Sequence, residues 1–152
     1  MSMAREIYQQ IIVDHGRNPR NYGELSAPVC CAEGHNRLCG DSVKVYMRSD
    51  KIEINACKFT GEGCAIAIAS ASLMTEVVHG MHIKDVKALF DDFHGAIVNG
   101  ENFKYLSPQH ERISVFLGVA DYPARVKCAT LAWQTLLSII NNTNTNRIIS
   151  TE

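Results

Sequence analysis

Three cysteines and one aspartate in this sequence have the side chains that a metal centre uses. Cys39 and Asp41 stand two residues apart in a glycine-containing loop, Cys64 follows Gly63, and Cys128 lies near the start of the last helical pattern. Thiolates bind zinc and iron tightly and are also the nucleophiles of sulfur transfer. A carboxylate adds a harder oxygen ligand, so the set fits a tetrahedral zinc ion and also an iron–sulfur cluster with one exchangeable ligand.

The spacing of the three cysteines is not that of a zinc finger, so a shared site depends on the elements that carry them. Residues 43–48 and 52–57 each alternate apolar and polar side chains, which predicts two half-buried strands. A β-hairpin returns the chain to the end from which it started, so it brings the Cys39 and Cys64 loops together. The core face of the second strand is predicted to consist of Ile52, Ile54 and Ala56.

Two helices are predicted to carry the other ligands. Small and apolar residues surround nearly the whole helix that follows Cys64, so this helix should be buried, and Gly80 is a suitable stop. At its N-terminus the helix dipole and the free N–H groups favour a thiolate. The last helix begins near Cys128, and its apolar face is formed by Val126, Ala129, Trp133, Leu136, Leu137 and Ile140.

The remaining patterns complete the predicted fold. Apolar side chains at helical spacing predict further helices over residues 4–15 and 83–94. Ser107 and Pro108 are suited to the N-cap and first position of a short helix that extends to about residue 119. Residues 25–35 are weakly patterned, and Pro28 restricts them to a short edge strand. Residues 95–106 predict a surface loop, and residues from about 141 to 152 predict a flexible tail. The expected fold is α+β, with about three antiparallel strands, helices on one face and the metal centre at an exposed edge.

Composition places residues 1–152 in one globular domain, since 46% are apolar and 20% are charged. A formal net charge of −1 argues against a nucleic-acid partner, and no apolar run is long enough to span a membrane. Residues 1–6 lack the apolar core of a signal peptide, which predicts a cytoplasmic protein. Thiols stay reduced in that compartment, so the six cysteines are interpreted as ligands, reactive groups or core residues rather than disulfides.

The other three cysteines allow a rival site. Cys57 is predicted to pack within a strand. Cys30 and Cys31 are adjacent, so their side chains point in different directions, but either one could join His35 and Cys39 around a metal ion. That arrangement leaves the two later candidate ligands without a function.

The motifs around the candidate ligands resemble those of one family. They are Asp14-His15 followed by Asn18-Pro19-Arg20-Asn21 and Gly23, then Cys39-Gly40-Asp41, then Gly63-Cys64 with residues 69–75, and finally residues 123–133. In this order they look like the motifs of the NifU/IscU-type iron–sulfur cluster assembly scaffolds. The resemblance extends from about residue 5 to residue 140.

Within that family the chain is most similar to the SufU branch. Lys127 stands immediately before the last cysteine, where IscU proteins have His, and residues 95–120 look like the SufU insertion. Arg37 stands where the family often has Pro. This resemblance implies a zinc-containing sulfur acceptor whose partner is a cysteine desulfurase of the SufS/IscS type.

The resemblance also implies a role for each site residue. Cys39 would take persulfide sulfur from the desulfurase. The four ligands named above would hold a zinc ion or a transient [2Fe-2S] cluster, and a downstream Fe–S carrier or apo-protein would receive the product. Arg125 and Lys127 would hold anionic sulfur species or contact the partner; alternatively, they are solvated charges at a helix start.

Several functions remain open at this point. Scaffolding a cluster and zinc-dependent sulfur transfer are the two that the resemblance implies. A structural zinc domain that serves only protein interaction normally has four firm ligands, and a carboxylate ligand argues against it. A cysteine hydrolase or transferase needs a histidine base, and no histidine flanks Cys39, Cys64 or Cys128 in the sequence.

Overall fold

A computed structural model of the chain describes residues 3–104, 107–141 and 147–150. Its helices are α1 (Met3–Arg17), α2 (Ala65–Val78), α3 (Ile83–Asn99), α4 (Pro108–Glu111) and α5 (Pro123–Asn141). A 3₁₀ helix, Arg112–Val119, follows α4. Its strands are β1 (Cys30–Asn36), β2 (Asp41–Ser49), β3 (Ile54–Glu62) and β4 (Arg147–Ser150).

The four strands form one sheet in the order β3-β2-β1-β4. β1, β2 and β3 are antiparallel, which confirms the predicted small antiparallel sheet, and β4 pairs in parallel with β1. β2 and β3 stay paired as far as Ser42 and Glu62. The loop that carries Cys39 and the segment that carries Cys64 therefore lie at the same end of the sheet, as the hairpin predicts.

The core face of β3 differs from its prediction. Ile52 precedes the strand and is exposed, while Ala56 is only partly buried. The fully buried positions of the strand are Ile54, Cys57 and Phe59. The alternation is therefore interrupted once within the strand.

A β-bulge causes this interruption. Arg48 pairs with Ala56, but the register shifts between Arg48 and Ser49, and Asn55 is the extra residue. One extra residue moves every following side chain to the opposite face. Cys57 thus faces the core, where burial raises the pKa of its thiol to about 12, and it packs in a strand as predicted.

Helices cover one face of the sheet, as predicted. Val45 and Phe59 pair across β2 and β3 on that face and are fully buried, and both α2 and α5 pack against it. In α5 the ring of Trp133 is fully buried and lies 5.9 Å from the ring of Phe93 in α3. On the opposite face, Lys44 stays partly exposed. None of the helices in the described part of the chain has the length and apolar character of a membrane span.

The motif of residues 14–23, the first of those that resemble the family, packs α1 against α2. His15 is buried, and its Nδ1 lies 2.7 Å from Ser72 Oγ. The backbone N–H of Arg20 donates to the same oxygen at 2.8 Å, and Asn21 Nδ2 donates to Thr75 Oγ1 at 3.1 Å. The motif therefore supports α2, the helix that begins at the predicted metal centre, and it supplies no ligand itself.

Helix α3 is longer than predicted, because Gly95 does not end it. The Glu101 side chain lies over this glycine, since a Cβ at Gly95 would lie 2.7 Å from Glu101 Oε1. The helix ends instead at Gly100, whose φ of 72° is left-handed and favours glycine. The predicted surface loop is correspondingly shorter, and its residues 105–106 lie outside the described residues.

The C-terminal strand, β4, lies in the segment predicted to be a tail, and it alters the position of β1 within the sheet. Arg147–Ser150 form β4 beside β1, whereas the sequence places them in a flexible tail; residues 142–146 and 151–152 lie outside the described residues. β1 consequently lies inside the sheet order, so the prediction of an edge strand is wrong. Pro28 does not prevent this, because it precedes the first residue of β1.

Candidate metal centre

The turn between β1 and β2 presents the first thiol. Asn36 pairs with Asp41 across the two strands, and the residues between them form the turn. Gly40 has a left-handed φ of 72°, which only glycine adopts at little cost. Cys39 is exposed, and its Sγ lies 3.9 Å from the carbonyl oxygen of Ala124. The first thiol therefore remains accessible to a partner molecule.

Asp41 begins β2 and points into the protein, where it is buried. Its Oδ1 accepts a hydrogen bond of 2.9 Å from the backbone N–H of Cys64, at the N-terminus of α2. A negative charge is favourable at this end of a helix. A Cβ at Gly63 would lie 2.5 Å from Asp41 Oδ1, so glycine is needed there to admit the carboxylate.

Cys128 lies in the second turn of α5 and is fully buried. Burial raises the pKa of its thiol, and hydrogen bonds with Asp41, Cys39 and Cys64 raise it further. Without a cation this sulfur is a protonated thiol, whereas coordination of a metal ion stabilises the thiolate. A buried thiol beside a buried carboxylate is the donor set that a soft or borderline metal ion suits.

Three predicted ligands converge in the structure. One ligand atom from each of Cys39, Asp41 and Cys128 can be chosen so that all lie within 4.8 Å of one another. Cys64 is not a member of this group of three, although its half-buried thiol interacts with that of Cys128. Two sulfur atoms and one carboxylate oxygen thus lie close together with the Cys64 thiol beside them, and these side chains are of the types that a zinc ion binds.

The rival cluster does not assemble. Within the part of the chain that the structure describes, the group above is the only set of three or more metal-binding side chains that lie this close together. His35 instead approaches a carboxylate, with 3.8 Å between its Nε2 and Glu33 Oε2. Cys31 is buried next to the half-buried Cys30 on β1.

The two cationic candidates lie on α5 beside Cys128. Arg125 is exposed. Lys127 is half-buried and lines a groove of about 300 Å³ between α3 and α5, together with His94 and Val126. Their proposed contacts with sulfur species or a partner stay a prediction.

Asn36 is a site residue that no sequence pattern singles out as a ligand or reactive group. It is fully buried, and its Nδ2 lies 3.4 Å from Asp41 Oδ2 and 3.6 Å from Cys128 Sγ. The available signal was its place at the start of the Cys39 loop. Its importance appears only when β1 is paired with β2.

The fold and the site together define a class of protein: a small α+β domain with an accessible thiol beside a buried thiol and carboxylate. Known proteins of this class match the chain closely. The sequence model of one protein family, described as the NifU-like N-terminal domain, matches residues 7–129 of this chain. The chain is 37% identical over 130 residues to the zinc-dependent sulfurtransferase SufU of Bacillus subtilis (strain 168), with 86% of both chains covered.

Two further comparisons agree. The chain is 32% identical over 143 residues to the iron–sulfur cluster assembly scaffold protein IscU of Streptococcus pyogenes serotype M1, covering 92% of this chain and 86% of that protein. The crystal structure of a nitrogen-fixing NifU-like protein (N-terminal) from Brucella abortus has a TM-score of 0.78 and 25% identity, covering 92% of this chain and 96% of the other. The chain belongs to the NifU-like N-terminal domain family, which confirms the resemblance stated from the sequence.

Proposed function

We propose that this chain is an iron–sulfur cluster assembly protein of the SufU type, which accepts persulfide sulfur at Cys39 from a cysteine desulfurase. The observation that carries the proposal is the contrast between its thiols. Cys39 is exposed in a turn, whereas Cys128 is buried within 4.8 Å of it, next to Asp41. One thiol can meet a partner while the others keep the site in place.

Zinc is the proposed resident ion, held by Cys39, Asp41, Cys64 and Cys128. When bound, it keeps these thiols ionised near neutral pH. The SufU relative from Bacillus subtilis is named as zinc-dependent, which supports this assignment. A structural zinc domain is less consistent with the site, because structural zinc ions normally have four firmly held ligands, whereas Cys39 is exposed in a turn and Asp41 is a carboxylate.

The proposed sulfur transfer is an exchange reaction. The Cys39 thiolate attacks the outer sulfur of a persulfide on the desulfurase and forms a new S–S bond. The S–S bond to the partner's cysteine breaks, and that cysteine leaves as a thiolate. No external oxidant or reductant is required. The Cys39 side chain is exposed and contacts the protein through the carbonyl oxygen of Ala124, at 3.9 Å, and through the thiol of Cys128, so few contacts must break for it to turn outward.

Scaffolding of a transient [2Fe-2S] cluster is the second candidate, with delivery to a downstream carrier or apo-protein. The same four ligands would hold the cluster, and the IscU relative is named as a scaffold. Arg125 and Lys127 would attract anionic sulfur species or the partner in either case. We place the protein in the cytoplasm, where the thiols of Cys39, Cys64 and Cys128 stay reduced.

Sulfur acceptance is tested by incubating the zinc-loaded protein with a cysteine desulfurase and cysteine. Peptide mass analysis should find the added sulfur on Cys39, and the protein should stimulate the desulfurase. Cys39→Ser should lose both effects, whereas Cys57→Ser, which changes a thiol in the core, should keep them. Sulfur found mainly on Cys64 or Cys128, with Cys39→Ser still active, would refute the assignment.

Cluster scaffolding is tested separately by anaerobic reconstitution with iron and sulfide. A scaffold should acquire visible absorption and a labile cluster that transfers to an apo-ferredoxin. Protein that stays colourless and retains zinc, yet takes up sulfur, acts as a sulfurtransferase alone.

A further inference from the structure

A buried amide stands between two of the proposed ligands. Asn36 is the last residue of β1 and is fully buried. Its Nδ2 lies 3.4 Å from Asp41 Oδ2 and 3.6 Å from Cys128 Sγ. Its Oδ1 is buried without a hydrogen-bond partner in the described structure. The side chain thus directs both of its donors at the site and leaves its acceptor unused.

An asparagine in this position would be a poor choice if its only role were to stabilise the fold. A buried carbonyl oxygen without a partner is unfavourable, and an apolar side chain of the same size would avoid it. The opposite orientation of the amide would place Oδ1 against a carboxylate oxygen and a sulfur, where lone pairs repel. Asp41 and Cys128, both anionic once a metal ion is bound, therefore account for both the residue type and its orientation.

The charges of the proposed site call for such a donor. Three thiolates and one carboxylate around a divalent ion carry a net charge of −2, and Cys128 and Asp41 are both buried. Hydrogen bonds from N–H groups to ionised ligands are stronger than those between neutral groups. Residues that bond to metal ligands in this way orient them and tune the metal.

We propose that Asn36 is a positioning residue that holds Asp41 and Cys128 in ligand geometry and donates an N–H···S hydrogen bond to the coordinated sulfur of Cys128. The proposal rests on the metal-dependent function proposed above. It assigns Asn36 no contact with the sulfur that is transferred.

Cobalt(II) gives a test that does not depend on activity, because thiolate ligands produce a charge-transfer band with this ion. Metal-free wild type, Asn36→Leu and Asn36→Ala are titrated with cobalt in competition with a chelator. The two variants differ in size, but both lack the donor. Asn55→Ala is the matched control, since Asn55 is an exposed asparagine on β3.

Both Asn36 variants should bind cobalt about 10- to 100-fold more weakly than wild type. At full loading their charge-transfer band should move to lower energy, because a sulfur without a hydrogen bond donates electrons more readily. A purely structural role would not move the band of a fully loaded site. Asn55→Ala should match wild type in both measurements.

A folded Asn36 variant with wild-type cobalt affinity and an unshifted charge-transfer band would overturn this inference. The proposed function would not be affected by that result. Circular dichroism identifies the folded variants, and the smaller Asn36→Ala decides the question if Asn36→Leu does not fold. A wild type that takes up no cobalt would overturn the proposed function, and this inference with it.

Discussion

The carboxylate of Asp41 accepts a 2.9 Å hydrogen bond from the backbone N–H of Cys64. This bond joins the start of β2 to the start of α2, across 23 positions of the sequence. It satisfies one of the free amides at the helix N-terminus, where no side-chain cap from Cys64 itself is present. Asp41 therefore contributes to folding as well as to the proposed metal centre.

Asp41→Ala should show these two contributions separately. The metal-free variant should lose about 1–2 kcal/mol of unfolding free energy, because one helix amide loses its acceptor. Urea denaturation with a chelator present measures this loss. Asp41→Asn keeps an oxygen acceptor for Cys64 and should lose less.

The same variants report on coordination. A carboxylate is a less tightly held zinc ligand than a thiolate, so Asp41→Ala should weaken zinc binding less than Cys128→Ser does. Competition with a chromogenic chelator gives both affinities. Loss of zinc from Asp41→Ala as complete as that from Cys128→Ser would make the carboxylate a principal ligand.

Gly63→Ala should disturb the centre without removing any ligand. The new Cβ would lie 2.5 Å from Asp41 Oδ1, so the carboxylate must shift. We expect a loss of about 1–3 kcal/mol in stability and weaker zinc binding. Gly118→Ala is the control, since among the described residues nothing beyond its immediate neighbours in the chain lies within 4 Å of its added Cβ. Equal zinc affinity in both variants would contradict the close approach.

Metal content tests whether Cys64 is the fourth ligand. Protein purified without oxygen should contain about one zinc per chain. Cys64→Ser and Cys128→Ser should lose it, whereas Cys57→Ser, altered outside the site, should retain it. Elemental analysis gives the stoichiometry, and equal zinc in wild type and Cys64→Ser would exclude Cys64 from the ligand set.

Zinc removal should also lower the melting temperature, because the ligands join the strand turn, α2 and α5. Adding zinc back should restore the melting temperature of wild type. Cys128→Ser should melt at the same temperature with and without zinc. A wild-type curve that is unchanged after verified removal would show that the ion does not connect these elements.

His15 should make stability fall in mild acid. Burial is the main cause that lowers its pKa, and Arg20 and Arg112 lower it further, against the opposing charges of Glu76 and Asp14. Because the folded pKa lies below the unfolded value, the unfolded chain binds the proton more readily, and stability decreases as the pH falls from about 7 towards 5.

Urea denaturation of metal-free protein across this range measures the slope. His15→Gln should be less stable at neutral pH, because it loses the ring's contact with Ser72. Its stability should nevertheless depend less on pH than that of wild type. Identical slopes in the two proteins would show that His15 is not the titrating group.

Local patterns made much of this architecture predictable. The alternation over residues 43–48 gave β2, and the buried helix after Cys64 was evident from its composition, because both signals are contained within one element. From these elements and the order of the motifs, the convergence of Cys39, Asp41 and Cys128 could be expected. Resemblance to a family then added the function that spacing alone could not supply.

The features that escaped prediction depend on pairing between distant segments. The bulge at Asn55 lies in a run that alternates perfectly, so only the register with β2 shows it. β4 reaches β1 across most of the chain, and its two β-branched residues, Ile148 and Ile149, are too short a run to predict a strand at the end of a polar tract. Asn36 likewise acquires its role from the strand opposite.

The short turn between β1 and β2 limits the reach of Cys39, the thiol proposed to accept sulfur. Asn36 and Asp41 anchor its two ends, and Cys39 is two residues from the second anchor. A chain extends by at most about 3.5 Å per residue, so the backbone at Cys39 travels no more than about 7 Å from that anchor. The turn cannot act as a swinging arm, and a donor protein must carry its own persulfide most of the way to this thiol.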